Sequence, residues 1–446
     1  MKQTVLLVGA FDSKGLEYSF VRKLLQANQL HVLTVNTGVL GTTDLFPVDI
    51  EAAEVAEAAG STLEQLREAG DRGEAMKTMA AGVAVISKNL FSEDRFDAVF
   101  GMGGSGGSTM VTAAMRCLPL GIPKVCVCTV ASGDTSIYIG ASDIVLYPSA
   151  TDVAGVNRIS RVTYTRAVGC LLGMLQTKVT KAEHERPIVV ASMFGNTTTC
   201  VDACRQQLDD QGYEVLVFHA VGTGGQTMES LIEQGLVDAC LDITTTEWAD
   251  ELCGGVFSAG TARLEAAGKA GIPHLIVPGC VDMVNFNAPE SIPQKYQNAG
   301  RQFYHWNPSV TLMRTNLQEN RQLGEIFAAK ANQAKGPIAF LLPLKGISIL
   351  DGDGELFCDR EADQALFQAI RENVREGIQV HELESILMTP NLPIEQLSCY
   401  WKCERKIRTS VNRHELYQRN NIGSTAGAST SGCPYHWRGC RYRHQC

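Results

Sequence analysis

The sequence contains no apolar run approaching the roughly 18 residues a membrane helix requires, so no membrane-spanning helix and no membrane partner is expected. Basic residues are in deficit: 39 Lys and Arg stand against 48 Asp and Glu, a formal net charge of -9. A general nucleic-acid binder needs a basic surface, and this composition does not supply one. The deficit does not exclude an anionic ligand, because backbone amides and helix N-termini hold anions without side-chain charge. Met1-Lys2-Gln3-Thr4 passes directly into Val5-Leu6-Leu7-Val8, without the longer apolar stretch and small-residue cleavage site of a signal peptide. A cytoplasmic protein is expected. Cysteine is plentiful, at 15 residues, but Cys117, Cys126, Cys128, Cys170 and Cys204 sit inside apolar stretches, the pattern of reduced thiols acting as small hydrophobes.

What is present is ordinary globular material, 45% hydrophobic and 20% charged, in a length of 446 that suits two domains. In the first half, strand-like runs alternate with helix-like ones. Thr4 to Gly9 is continuously apolar, as a strand buried on both faces of a parallel sheet would be. A turn at Ala10 to Gly15 leads to a helix from Leu16 to Gln26 and a strand from His31 to Asn36. Alanine-rich helices fill Pro47 to Asn89. A third strand, Phe96 to Phe100, runs into a glycine turn, Gly101 to Thr109, followed by a helix and the strand Lys124 to Val130. Strands separated by helices of this length imply right-handed βαβ units.

The second half follows the same plan. Pro187 to Met193 reads like the first strand, Phe194-Gly195-Asn196-Thr197 takes the place of Phe11-Asp12-Ser13-Lys14, and Gly271-Ile272-Pro273 matches Gly121-Ile122-Pro123. Duplication and the common plan of doubly wound sheets both account for this. The fold expected is α/β: two Rossmann-like doubly wound parallel-sheet domains with an interdomain cleft, at 1–180 and 181–391. From 392 to 446 the composition turns basic and cysteine-rich and loses periodicity. A disordered tail, a stretch translated out of frame, and a small zinc site using Cys433, His436, Cys440, His444 or Cys446 are the readings. The last lacks the paired Cys-x-x-Cys spacing of zinc modules.

The segment with most chemistry is Gly101-Met102-Gly103-Gly104-Ser105-Gly106-Gly107-Ser108-Thr109. It follows a strand and opens a helix, where open α/β sheets bind ligands. Its glycines let backbone amides approach a phosphate, and Ser108 and Thr109 offer hydroxyls. It lacks the lysine of a Walker A loop. The competing reading is a tight turn for strand–helix packing. On the same rim, Phe11, Asp12 and Lys14 follow the first strand, Lys14 as a point charge for phosphate and Asp12 as a magnesium ligand. Ser132, Gly133 and Asp134 follow the fourth, Asp134 as a second metal or ribose contact. In the second half, Gly195, Asn196 and Thr197, and then Thr223, Gly224 and Gly225, are the equivalent candidates for anion binding. His219, Glu247 and Asp282 follow successive strands there and are the candidates for acid–base catalysis.

The opening Gly9 to Lys14, the turn Gly101 to Thr109 and the second-half Phe194-Gly195-Asn196-Thr197-Thr198 together resemble one family. Its members are bacterial and fungal proteins of largely unknown function that share the ATP-binding region of the tomato inhibitor of tomato mosaic virus RNA replication. The likeness covers about residues 1 to 390. It implies two Rossmann-like subdomains, ATP binding and self-association as a dimer or higher homo-oligomer. ATP binding carries onto Gly101 to Thr109 and onto Phe11 to Lys14 and Ser132 to Asp134. The expected function is therefore Mg2+ and ATP binding, with a small metabolite as the candidate substrate in the cleft. A nucleotide-regulated protein-binding module and a nucleotide-independent hydrolase or lyase are the alternatives.

Overall fold

The computed structural model describes residues 3–178 and 185–387. The tail readings, with Cys433, His436, Cys440, His444 and Cys446, lie outside the described residues. The first stretch contains, in order, β1 (Thr4–Gly9), α1 (Phe11–Ala27), β2 (His31–Asn36), α2 (Ala52–Ala58), α3 (Leu63–Ala69), α4 (Arg72–Ser92), β3 (Ala98–Gly103), α5 (Ser105–Arg116), β4 (Lys124–Cys128), α6 (Ser136–Ile139), β5 (Val145–Pro148) and α7 (Arg158–Gln176). Its five strands form one parallel sheet in the order β2-β1-β3-β4-β5. Alternate residues of β1 explain its apolar run. Leu6 and Val8 pack with Val55, Met79, Val83, Val111 and Met115 on one face. Val5 and Leu7 pack with Tyr18, Val21, Tyr164 and Val168 on the other.

The second stretch contains β6 (Ile188–Met193), α8 (Thr198–Asp210), β7 (Glu214–His219), α9 (Thr223–Glu233), β8 (Ala239–Thr244), α10 (Glu247–Cys253), α11 (Ala266–Ala270), β9 (His274–Gly279), β10 (Met283–Phe286), α12 (Gln294–Gln297), β11 (Phe303–Asn307), β12 (Val310–Arg314), α13 (Leu317–Asn332), β13 (Ile338–Pro343), α14 (Arg360–Asn373) and β14 (Gln379–Leu383). Six of these strands make a second parallel sheet, β14-β13-β9-β8-β6-β7. The other three form an antiparallel sheet, β10-β12-β11, which the sequence reading did not anticipate. No helix among the described residues is long and apolar enough to cross a membrane.

Each parallel sheet reverses its strand order once. In the first, β2 lies on one side of β1 and β3 on the other; in the second, β7 and β8 flank β6 in the same way. These reversals are where open α/β sheets form a ligand crevice, at the carboxyl ends of the strands.

Two boundaries differ from expectation, and both concern the site. The segment Gly101 to Thr109 is not a loop: β3 continues through Gly103, and α5 begins at Ser105. A Cβ at Gly101 would lie 2.4 Å from Val111, and one at Gly103 would lie 2.7 Å from the Gly107 backbone. Those two glycines let the helix press onto the strand it follows. Likewise α1 begins at Phe11, not Leu16, with Lys14 marking a kink at φ -125°, ψ 19°. The expected turn is the helix's own first turn.

Candidate functional site

At the β1/β3 reversal the two strands stay in register only as far as Val8 and Gly101. Beyond that point the Tyr18 hydroxyl stands between them. It lies 2.8 Å from the Val8 carbonyl and 2.6 Å from the Met102 carbonyl, and accepts from the Met102 amide at 2.7 Å. The ring fills the space beside Gly9, where a Cβ would come within 2.0 Å of it. This is the floor of the crevice.

One wall is the N-terminus of α5. Its N-cap is Gly104, which has no side chain to offer the first amides. The Ser108 amide bonds to the Gly104 carbonyl, whereas those of Ser105, Gly106 and Gly107 have no acceptor among the described residues. The Ser108 hydroxyl turns back to the Gly103 carbonyl and that of Thr109 to the Ser105 carbonyl, so both serve the helix. Gly104 and Gly107 are not required by packing. A Cβ on Gly104 would meet only Thr129, at 3.9 Å, and one on Gly107 only a carbonyl, at 3.6 Å. Neither has a positive φ. A Cβ on Gly106 would touch the flexible Met76 side chain and lie 3.9 Å from a guanidinium nitrogen of Arg72. Arg72 is exposed and has no ion-pair partner among the described residues.

The opposite wall is α1 and the chain after β2. Asn36 accepts from the amides of Phe11 and Gly38 and donates to the Gly41 carbonyl. Asp12 accepts from the Leu40 amide at 3.0 Å. Thr37, whose amide bonds to the Gly9 carbonyl, buries a hydroxyl that has no partner. Lys14 is half-buried in the first turn of α1. After β4, Ser132, Gly133 and Asp134 are exposed. Asp134 accepts from the Ser136 hydroxyl at 2.7 Å and its amide at 3.0 Å, which lowers its pKa. Beneath this rim lies Cys128, opposite Gly103 in register. Its thiol is lowered to about 7, first by the Cys126 thiol and then, against burial, by the amides of Val130 and Ala131 and the Ser108 hydroxyl. Arg72, Thr37, Tyr18 and Cys128 were not singled out from sequence. Only the Cys-Val-Cys alternation, which puts both thiols on one strand face, could have signalled any of them.

The second-domain candidates have other partners. Glu247 lays its carboxylate across the N-terminus of α9, with Oε1 accepting from the amides of Gly222 at 2.8 Å and Gly225 at 3.0 Å. Its Oε2 accepts from Arg263 Nε at 2.7 Å. Of the anion-binding candidates Thr223, Gly224 and Gly225, Gly225 thus gives its amide to the protein's own Glu247, and the Thr223 amide bonds to the Val221 carbonyl at 3.0 Å. Gly224 is small because a Cβ there would collide with the His219 carbonyl at 1.8 Å. At the β6/β8 reversal the Thr197 and Thr244 hydroxyls bond at 2.7 Å, the Asn196 amide contacts Met283 sulfur at 3.3 Å, and Gly195 opens a short 3-10 turn. Asn196 and Thr197 are buried. The Asn196 and Thr197 side chains are thus engaged within the fold, whereas Gly195 is exposed, with nothing within 4 Å of where its Cβ would stand.

Nor does the structure assemble His219, Glu247 and Asp282 into one hydrogen-bonded set. His219 is exposed and stacks on Phe194, ring centroids 5.3 Å apart, and partial burial lowers its pKa. Asp282 is fully buried and accepts from Ser348 at 2.6 Å, while its Oδ1 has no partner. Burial pushes its carboxyl up to about 6, against the pull of the nearby Arg314. An unfolded aspartate titrates near pH 4. The native state therefore binds the extra proton between about pH 4 and 6, and this group's contribution to stability falls as pH rises through that window. Asp282→Asn, which mimics the protonated carboxyl, should flatten that part of a melting-temperature profile. An unchanged profile would show that Asp282 is ionised throughout.

Cys240, Asp242 and His274 come within reach of a single ion. However, Arg263 makes two bonds to the Asp242 carboxylate and His274 a third, at 2.8 Å. A metal cation there would lie against a fixed guanidinium, so the donor set does not suit one.

Two family models match the chain. The N-terminal domain of an uncharacterised protein family, UPF0261, covers residues 3–180, and the C-terminal domain of the same family covers residues 186–392. A UPF0261 protein of Clostridium tetani is 42% identical over 386 residues, 86% of this chain and 95% of that protein. The tomato ToMV resistance protein Tm-1(GCR237) is 40% identical over 320 residues, 70% of this chain but 42% of that protein. Among solved structures, the Streptomyces glycosyltransferase SsfS6 aligns over 62% of this chain and 82% of that one at 14% identity, with a TM-score of 0.18, a likeness too loose to assign anything. On the two domain matches and the bacterial relative, the chain belongs to the uncharacterised family UPF0261.

Proposed function

We propose that the crevice at the carboxyl ends of β1 and β3 binds the phosphates of a nucleotide, ATP with Mg2+. The observation that carries this reading is the N-terminus of α5: three amides without acceptors, flanked by glycines that packing does not require. Such an end carries partial positive charge and directs N–H groups at an anion. Arg72 on one side and Lys14 on the other supply the cations that an uncapped helix lacks. Thr37 adds a buried hydroxyl in need of a partner. Magnesium would reach the phosphates from Asp12 or Asp134, the carboxylates on this rim. At the corresponding end of α9 the protein's own Glu247 already accepts from the Gly222 and Gly225 amides, and the Thr223 amide bonds to the Val221 carbonyl.

The test is thermal denaturation of the full chain with Mg-ATP, Mg-ADP, AMP and inorganic phosphate. A ligand at 100 times its dissociation constant stabilises the native state by about 2.7 kcal/mol, a shift of several degrees. The triphosphate and diphosphate should raise the melting temperature most. If none of the four moves it at millimolar concentration, the reading is wrong.

A further inference from the structure

We propose that Thr37 contacts the terminal phosphate of the nucleotide, so that the crevice separates nucleoside triphosphate from diphosphate. The inference rests on the nucleotide reading above and adds a direction to it. Thr37 is 1% exposed, and its hydroxyl has no partner among the described residues. A buried hydroxyl without a hydrogen bond destabilises a fold, and a valine of the same shape would not carry that cost. Packing alone therefore gives no reason for a threonine here. The strand sets the direction of the side chain. Leu33 and Val35 of β2 belong to the core cluster that holds Val111 and Met115 of α5. Side chains alternate along a strand, and the Thr37 amide continues the ladder to the Gly9 carbonyl, so Thr37 falls on that same face, towards α5. Its hydroxyl and the free amides of Ser105 to Gly107 thus border one space, with β1 between their parent strands.

The two ends of that space differ. On the β4 side, Ser132, Gly133 and Asp134 are exposed. On the β2 side the wall is closed. Asn36 is fully buried and donates to the Gly41 carbonyl and to Glu51, Asp12 accepts from the Leu40 amide, and Arg67 donates to the Val39 carbonyl. A base and ribose have room only at the open end. The phosphate chain then runs from the β4 rim across the α5 amides towards β2, and its last group is the one that meets Thr37. A diphosphate seated on the same amides stops short of it.

The experiment is calorimetric titration of the full chain, as parent, Thr37→Val and Thr37→Ser, with Mg-ATP and Mg-ADP. The parent should bind Mg-ATP about tenfold or more tightly than Mg-ADP, the effect of one hydrogen bond to a charged oxygen. Thr37→Val should equalise the two by weakening ATP alone, and Thr37→Ser, which keeps the hydroxyl, should retain the preference. Without ligand, Thr37→Val should melt no lower than the parent, since it loses no hydrogen bond; a lower melting temperature would make the hydroxyl structural and count against the proposal. Equal affinity of the parent for both nucleotides, a preference that survives in Thr37→Val, or a Thr37→Val that loses ADP as much as ATP overturns the proposal and leaves nucleotide binding standing. Binding of neither nucleotide to the parent overturns the nucleotide reading and this proposal with it.

Discussion

Gly104→Val abolishes the nucleotide-induced rise in melting temperature and leaves the unliganded protein folded. The backbone at Gly104, φ -72° and ψ -167°, is extended and open to valine. The new Cβ meets only Thr129 at 3.9 Å, so it enters space that the fold does not use. A valine N-cap is worse than glycine, and the cost to the free protein is on the order of 1 kcal/mol. Its methyl groups, however, stand over the amides of Ser105 to Gly107 and hold a phosphate out of hydrogen-bond range. The full ligand stabilisation, about 2.7 kcal/mol at 100 times the dissociation constant, is then lost. Gly103→Ala is the control with the opposite pattern. Its Cβ would press on the Gly107 backbone at 2.7 Å, where nothing flexible can yield, so the free protein itself is destabilised. Calorimetric titration and thermal melts of both variants separate the cases. A Gly104→Val protein that retains the nucleotide shift would show that these amides are not the contact.

The second large effect is on stability. Arg263→Met strands three carboxylates, Asp242, Glu247 and Glu229, that now share one guanidinium in a buried site. Removing one partner of a buried ion pair costs about 3–5 kcal/mol, because the remaining charge has neither water nor counterion. Urea denaturation at neutral pH should show a loss of that size. The pH dependence gives the cause. In the intact protein, Arg263 and His274 hold Asp242 well below the usual carboxylate range in spite of burial. A depressed pKa contributes stability above the unfolded value, near 4, and that contribution disappears as pH falls. In the variant, burial without a counterion raises these carboxylates, so the gap between Arg263→Met and the parent should narrow from pH 7 towards pH 4 as they take up protons, and further below pH 4, where the parent loses the Asp242 contribution. A gap independent of pH would assign the loss to packing.

The parallel sheets were legible because β-strands buried on both faces leave continuous apolar runs, as in Val5 to Val8, and glycines mark the ends of those runs. The antiparallel sheet was not, because β11 is largely exposed and its Tyr-His-Trp sequence carries no alternation. The site was legible only in outline. Local spacing located the glycines after β3 but could not separate two that permit close packing from those that packing leaves free. That distinction depends on what each missing Cβ would touch, which is a property of the assembled fold. The same holds for Glu247: its position after β8 suggested acid–base chemistry, yet its role follows from Arg263 and α9, which reach it only through tertiary structure. Arg72 lies 29 residues before Gly101, in a helix placed beside α5 by packing alone.

The Tyr18 hydroxyl between β1 and β3 bears on how this sequence can evolve. Gly9 is barred from acquiring any side chain by the ring of Tyr18, and that ring occupies the gap left at Gly9. The hydroxyl in turn satisfies an amide of the strand that leads into α5. Positions 9 and 18 therefore form one unit of selection, in which an acceptable change at one site depends on the state of the other, whereas Met102 enters only through its backbone. The crevice floor can drift only by coordinated replacement, while the glycines at its mouth remain free to change one at a time, limited only by the ligand they admit.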